Sequence, residues 1–108
     1  MQAFELNDLI EEAKAPYLEF LRSDSLSVGL YQLPAGGIDP QQPHAEDEVY
    51  YVIGGRAQIT VGDETRPVQA GSTVFVAAHV PHKFHTIEED LTILVFFAPP
   101  EGSQKEQV

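Results

Sequence analysis

The chain contains no cysteine among its 108 residues. A disulfide framework, a thiolate metal site and a cysteine nucleophile are therefore excluded, and any bound metal must take nitrogen and oxygen ligands. Basic residues are scarce: six Lys and Arg stand against seventeen Asp and Glu, for a net charge of -11. A surface of that sign repels phosphate backbones and anionic lipid, which sets nucleic acid and membranes aside as partners. Long apolar runs are missing as well. The N-terminus, Met1-Gln2-Ala3-Phe4-Glu5, has no basic stretch leading into a hydrophobic one. Neither a signal peptide nor a membrane span is expected, and a cytoplasmic location is the default.

What is present suffices for one domain. The hydrophobic share of 43% is ordinary for a globular chain, so a core can form. Leu6, Leu9, Ile10 and Ala13 recur at helical spacing, with Asn7 placed to cap and Pro16 to terminate, which predicts a helix over 6–15. The stretch Tyr17 to Leu21 fits either a further turn or a strand. From Leu26 the period drops to two, as Leu26, Val28 and Leu30 alternate with smaller or polar neighbours. Further β-rich runs cover 49–53, 57–61, 65–68, 73–76, 83–87 and 91–98. Turn signals separate them at 34–37, 62–64, Ala70-Gly71 and Val80-Pro81, and Gly54-Gly55 reads as a two-residue hairpin. About eight short strands at this spacing, without βαβ alternation, describe an all-β sandwich or barrel. The organisation is then an N-terminal helical or extended segment over 1–25, a barrel over 26–100 and a polar, flexible tail over 101–108.

Several polar residues sit among these strands. Three of the four histidines, His79, His82 and His85, fall within seven residues, and His44 precedes a strand carrying Glu48. Imidazole and carboxylate together form a common ligand set for zinc, iron, nickel and manganese. If 42–52 is extended, Gln42, His44, Glu46, Glu48, Tyr50 and Val52 share one face. A carboxylate entering so apolar a run as 48–53 is costly unless a metal or an arginine partners it. The same parity places Phe84 and Thr86 beside His82 and turns His85 away. His79 reads as a turn residue, His85 as exposed or set in a subunit interface, and Glu46 and Asp47 as solvated charges. Tyr50 shares the face of Glu48, either as a catalytic acid or hydrogen-bond donor or as core packing. Phe75, Phe84 and Phe96 line an apolar pocket or fill the barrel.

Gly36, Gln42, His44, Glu48 and Gly55 reproduce every interval of the first motif of the cupin family, and Gly71, Ala77, His79, His82 and Thr86 stand at the positions of the second. The sequence therefore resembles a small single-domain cupin over roughly residues 26–98. The resemblance implies a double-stranded β-helix, or jelly-roll barrel, here with a short N-terminal helix. It also implies an internal divalent metal (Fe, Zn, Mn or Ni) held by His44, Glu48 and His82. Gln42 stands where the family's leading histidine would be and is a weaker ligand. His79 stands where the second motif has glycine, a strained substitution if φ is positive there.

Two imidazoles and one carboxylate leave coordination positions open, as suits non-haem iron(II) or a catalytic zinc. The leading expectation is a metal-binding cupin acting on a small molecule, as a dioxygenase, isomerase or lyase. The alternatives are a non-catalytic ligand-binding module, and a metal-free cupin using His44 and His82 as acid and base. Small size and the family's habit also imply a homodimer. Light scattering is expected to return twice the monomer mass, and a concentration-independent monomer would refute the pairing.

Overall fold

The computed structural model describes residues 1–40 and 43–104. One helix, α1 (Leu6–Glu12), is followed by six strands: β1 (Tyr17–Arg22), β2 (Ser27–Leu33), β3 (Asp47–Val61), β4 (Glu64–Gln69), β5 (Thr73–Val76) and β6 (His82–Ala98). All pairings are antiparallel, in the order β1-β2-β6-β3-β4, with β5 on the other edge of the first half of β3. The fold is the expected jelly-roll barrel.

One expected turn and one expected strand break are absent. Gly54-Gly55 does not form a hairpin, and the runs 49–53 and 57–61 belong to the single strand β3. Likewise 83–87 and 91–98 are one strand, β6. These two strands pair along their whole lengths, from Asp47 opposite Ala98 to Val61 opposite His82. A straight strand of β3's fifteen residues spans roughly 50 Å at about 3.3 Å per residue. The longest extent of the molecule is 37 Å, so the ladder must curl.

The curl comes from the middle of the ladder. Register shifts fall between Val52 and Gly54, Gly54 and Arg56, and Arg56 and Gln58. Across them the buried face of β3 changes parity, from Glu48, Tyr50 and Val52 to Ala57 and Ile59. β6 switches in the same way, from His82 and Phe84 to Ile87, Leu91, Ile93, Val95 and Phe97, with Thr86 in the left-handed region at φ 50°. Local alternation read across a bulge looks like a strand end, which explains the overcount.

Gly55 is required at the bend twice over. Its φ is +97°, and an added Cβ would fall onto the carbonyl oxygen of Asp90 as β6 crosses over it. Gly62, at φ 61°, makes the tight β3–β4 turn the sequence calls for, with Val61 paired to Glu64.

The N-terminal region differs in detail. The helix ends at Glu12, because Ala13 turns extended ahead of Pro16. Its N-cap is Glu5, without a side-chain cap bond, so Asn7 lies inside the first turn. Residues 17–22 resolve as a strand against β2. Of the three phenylalanines noted, Phe84 is in the core, whereas Phe75 and Phe96 are 60% and 38% exposed on the outer face.

Gly55→Ala is expected to destabilise the chain by at least about 2 kcal/mol, from left-handed strain plus a backbone clash. Gly54→Ala, which meets nothing within 4 Å, should stay within about 0.5 kcal/mol of the parent. Urea denaturation of both variants checks the contrast, and equal costs would remove Gly55 from its role at the bend.

Candidate metal centre

Curling the ladder brings its opposite ends together. Glu48 starts β3 and His82 starts β6, yet His82 Nε2 lies 3.1 Å from Glu48 Oε1. His44, in the segment leading into β3, places Nδ1 3.8 Å from the same oxygen. One ligand atom from each of the three residues lies within 4.8 Å of the others, a spacing able to hold a metal ion. Glu48 is 1% exposed, and the His44 side chain is 18% exposed.

The polar atoms of this cluster are unsatisfied. His44 Nδ1, His82 Nε2 and both Glu48 oxygens are buried without a hydrogen-bond partner among the described residues. Buried polar atoms are almost always paired, so four converging orphans mark a place built for a further group. The rings are held from outside. His82 Nδ1 donates to the Val80 carbonyl at 2.9 Å, which leaves the Nε2 lone pair facing Glu48. A lone pair facing a carboxylate needs a cation or a proton between them. Without a metal, that is a proton. Burial pulls the His82 pKa down, but the proton-accepting Glu48 carboxylate, the Val80 carbonyl and the charges of Glu48 and Asp39 outweigh it, and the net shift is upward. The pair is close enough to share a proton, though not aligned as a regular hydrogen bond.

The loop before β6 positions His44. His79 is a turn residue at φ 71°, the conformation a glycine would take without strain. Its backbone N–H donates to the His44 carbonyl at 2.6 Å, tying the two ligand-bearing segments together. His85 is half-buried, with Nε2 2.7 Å from Thr60 Oγ1 and Nδ1 3.0 Å from Thr86 Oγ1, and takes no part in the cluster. Tyr50 is fully buried, edge-on to Phe84 at 4.8 Å between centroids and 6.0 Å from the His82 ring. Gln42 lies outside the described residues.

The parts played by Glu46, Asp39, Tyr17 and Glu101 escaped the sequence reading. Glu46, expected to be solvated, is 3% exposed, and its carboxylate accepts the N–H groups of Gly102 and Gln104, each at 3.1 Å. Its parity with Glu48 was the available signal. Asp47 is exposed as expected, and its Oδ1 accepts the Ala78 N–H. Asp39 is buried, accepting from Tyr31 Oη at 2.6 Å and from the Phe84 N–H at 2.9 Å. Tyr17 and Glu101 border a cavity of about 350 Å³ that Glu48 also lines, with walls that include Pro16, Tyr31, Val95 and Phe97. The Tyr17 hydroxyl is buried without a partner among the described residues. Burial, then the charges of Glu101, Glu19 and Glu48, raise its pKa, so at neutral pH it keeps its proton.

Comparison with known proteins gives the same picture. The family model described as the cupin domain matches residues 29–97. A protein of Streptomyces coelicolor, itself uncharacterized, is 58% identical over 105 residues, covering 94% of this chain and all of that one. The crystal structure of TT1209 from Thermus thermophilus superposes with a TM-score of 0.75 at 25% identity, covering 93% of this chain and 99% of that one. A dimethylsulfoniopropionate lyase of Ruegeria pomeroyi is 30% identical over 69% of this chain, a match spanning only 38% of the lyase. Its crystal structure superposes with a TM-score of 0.67.

In the metal-free chain the His82 imidazole is expected to titrate above the ordinary value of about 6.5. Because the folded pKa is raised, its contribution to stability is fully present below about pH 6.5 and is lost as pH climbs through the raised value. NMR titration of the imidazole resonances after chelator treatment checks this. A midpoint at or below about 6.5 would contradict the assigned pairing.

Proposed function

The chain belongs to the cupin family, and we propose that it holds one divalent cation on His44 Nδ1, Glu48 and His82 Nε2 and acts with it as a small-molecule lyase. The observation that carries this reading is the set of four buried ligand atoms, unpartnered among the described residues, that converge beside an apolar cavity. Two imidazoles and a carboxylate suit iron(II) or zinc, and manganese or nickel accept the same donors. When bound, such an ion supplies a Lewis acid that polarises an oxygen of the substrate.

The remaining work falls to the chain's own residues. Pro16, Val95 and Phe97 enclose an apolar body of modest size, since about 350 Å³ lies at the low end of ligand sites. Tyr17 Oη, unpartnered and protonated, offers a hydrogen-bond donor in the cavity wall. Tyr31, paired with Tyr17 across β1 and β2 and with its ring 6.1 Å away, already has its Oη committed to Asp39. A small organic acid, its carboxylate toward the cation and its chain against the apolar wall, fits these features. The likeness to the Ruegeria lyase supports elimination chemistry over the dioxygenase and isomerase alternatives.

Protein purified without chelators or a metal-affinity column is expected to carry about one iron, zinc, manganese or nickel per chain. His82→Ala should lose that metal while keeping its far-UV circular dichroism. Full occupancy in the variant, or a parent chain that takes up none of these ions, would overturn the assignment.

A further inference from the structure

The cavity of about 350 Å³ beside the cluster has apolar walls and charges of one sign. Tyr17, Tyr31, Phe97 and Pro16 supply the walls, and Glu48 and Glu101 supply two carboxylates. Among the described residues that line it, none is basic. The aromatic corner is built into the backbone. Tyr17 and Tyr31 are paired across β1 and β2, with ring centroids 6.1 Å apart and planes at 73°. The Tyr17 ring occupies the room that a side chain at position 29 would take, since a Cβ added to Gly29 would fall onto the ring and its hydroxyl. Glycine weakens a strand interior, and its place in β2 marks this close approach.

The chain leaves the negative charge of the cavity largely unanswered. Both Glu48 oxygens are buried without a hydrogen-bond partner among the described residues. The Glu101 side chain, 34% exposed, stands 3.4 Å from His44 Nε2. Arg22 is engaged elsewhere, with Nη1 3.0 Å from the Glu19 carboxylate and Nη2 donating to the Glu101 backbone carbonyl at 3.1 Å. The two phenols register the resulting field. After burial, the charges of Glu101, Glu19 and Glu48 raise the Tyr17 pKa against the opposing effect of Arg22. On Tyr31, Glu48 adds to burial and to Asp39. A divalent ion on the cluster would answer Glu48, and Glu101 would still lack a full positive charge beside it.

Aromatic walls in a negative field have a specific chemical complement. A neutral apolar ligand leaves the carboxylates unanswered, and an anionic group is repelled by Glu101. A primary ammonium carries three N–H donors that need acceptors, which an apolar wall does not offer. An alkylated ammonium spreads its charge over methyl groups, packs on aromatic rings and is attracted by a carboxylate without needing hydrogen bonds. We propose that this cavity binds an alkylated ammonium group, with Tyr17, Tyr31 and Phe97 as its walls and Glu101 as its countercharge. The proposal rests on the metal-site reading above only for the other end of the ligand, where a carboxylate meets the cation. Together the two ends make the substrate a zwitterion.

Choline and 3,3-dimethylbutan-1-ol have nearly the same shape and differ in a cationic nitrogen against a neutral carbon. Both are to be titrated into the chelator-treated full chain by calorimetry and amide NMR, at about 0.15 M salt to screen diffuse attraction to an acidic surface. Choline is expected to bind about 10-fold tighter than the alcohol or better, with shifts at Tyr17, Tyr31 and Glu101. Glu101→Gln should cut that preference to about 3-fold or less with little change for the alcohol, and Tyr17→Leu should weaken choline more than the alcohol. Equal affinities, no binding of choline, or a preference that survives both substitutions would overturn the proposal. Neither probe carries a carboxylate, so the experiment needs no bound metal. Choline selectivity in a chain that takes up no metal keeps the ammonium pocket and removes the cation site, and metal uptake without choline selectivity does the reverse.

Discussion

The β3–β6 ladder cannot run straight. Both strands are longer, when extended, than the molecule is wide, and the pairing continues from one end to the other. The bulged region around Gly54 and Gly55, with the matching irregularity at Thr86, bends the ladder so that its ends meet. Because β3 begins at the end where β6 finishes, that bend is what carries Glu48 and His82 to within 3.1 Å. The remaining elements accommodate it: β5 and β4 cover the two halves of β3, and β2 extends the sheet along β6.

Among the described residues this arrangement buries three acidic side chains, each resolved by different chemistry. Asp39 takes a phenol and a backbone N–H, and so ties the segment ahead of His44 to the barrel. Glu46 takes two backbone N–H groups from the C-terminal turn. Glu48 is left with two imidazoles and no hydrogen bond among the described residues. The first two are structural solutions, complete in the folded chain. The third is incomplete without a proton or a cation, and incompleteness at a buried charge is the physical mark of a site. In a chain of net charge -11, a cation is also the ligand that the overall field favours.

The cluster opens onto an apolar cavity bordered by Tyr17 and Glu101, which come from the first strand and the C-terminal turn. Neither belongs to the stretches that resemble the family motifs, and the family model ends at residue 97. The candidate metal cluster and the polar border of the cavity therefore have different origins in the chain. The stretch that the family model matches carries the first, and the first strand and the C-terminal turn carry the second.

The three clustered residues were named from the sequence, His44 and Glu48 by chemistry and spacing together and the full set with His82 by the resemblance to the family motifs. Read as extended, the segment puts His44 and Glu48 on one face, and a carboxylate in an apolar run must find a partner; the strand itself starts only at Asp47, after a bend at 45–46. The all-β class followed from period-two alternation and the absence of βαβ units, and the left-handed turn at His79 was foreshadowed by the glycine that the motif places there. The expected strand ends at Gly54-Gly55 and near Glu88 were not ends, because a bulge and a turn interrupt alternation alike, and only cross-strand pairing distinguishes them. Glu46 was read as solvated although it shares the parity of Glu48. Its burial depends on a turn more than fifty residues away, which no local pattern encodes. The sequence by itself determined which donor atoms the chain could offer and the period at which they face inward. The tertiary structure alone decided which nitrogen of each histidine looks toward Glu48, because ring orientation is set by contacts between residues that the fold, and not the spacing, brings together.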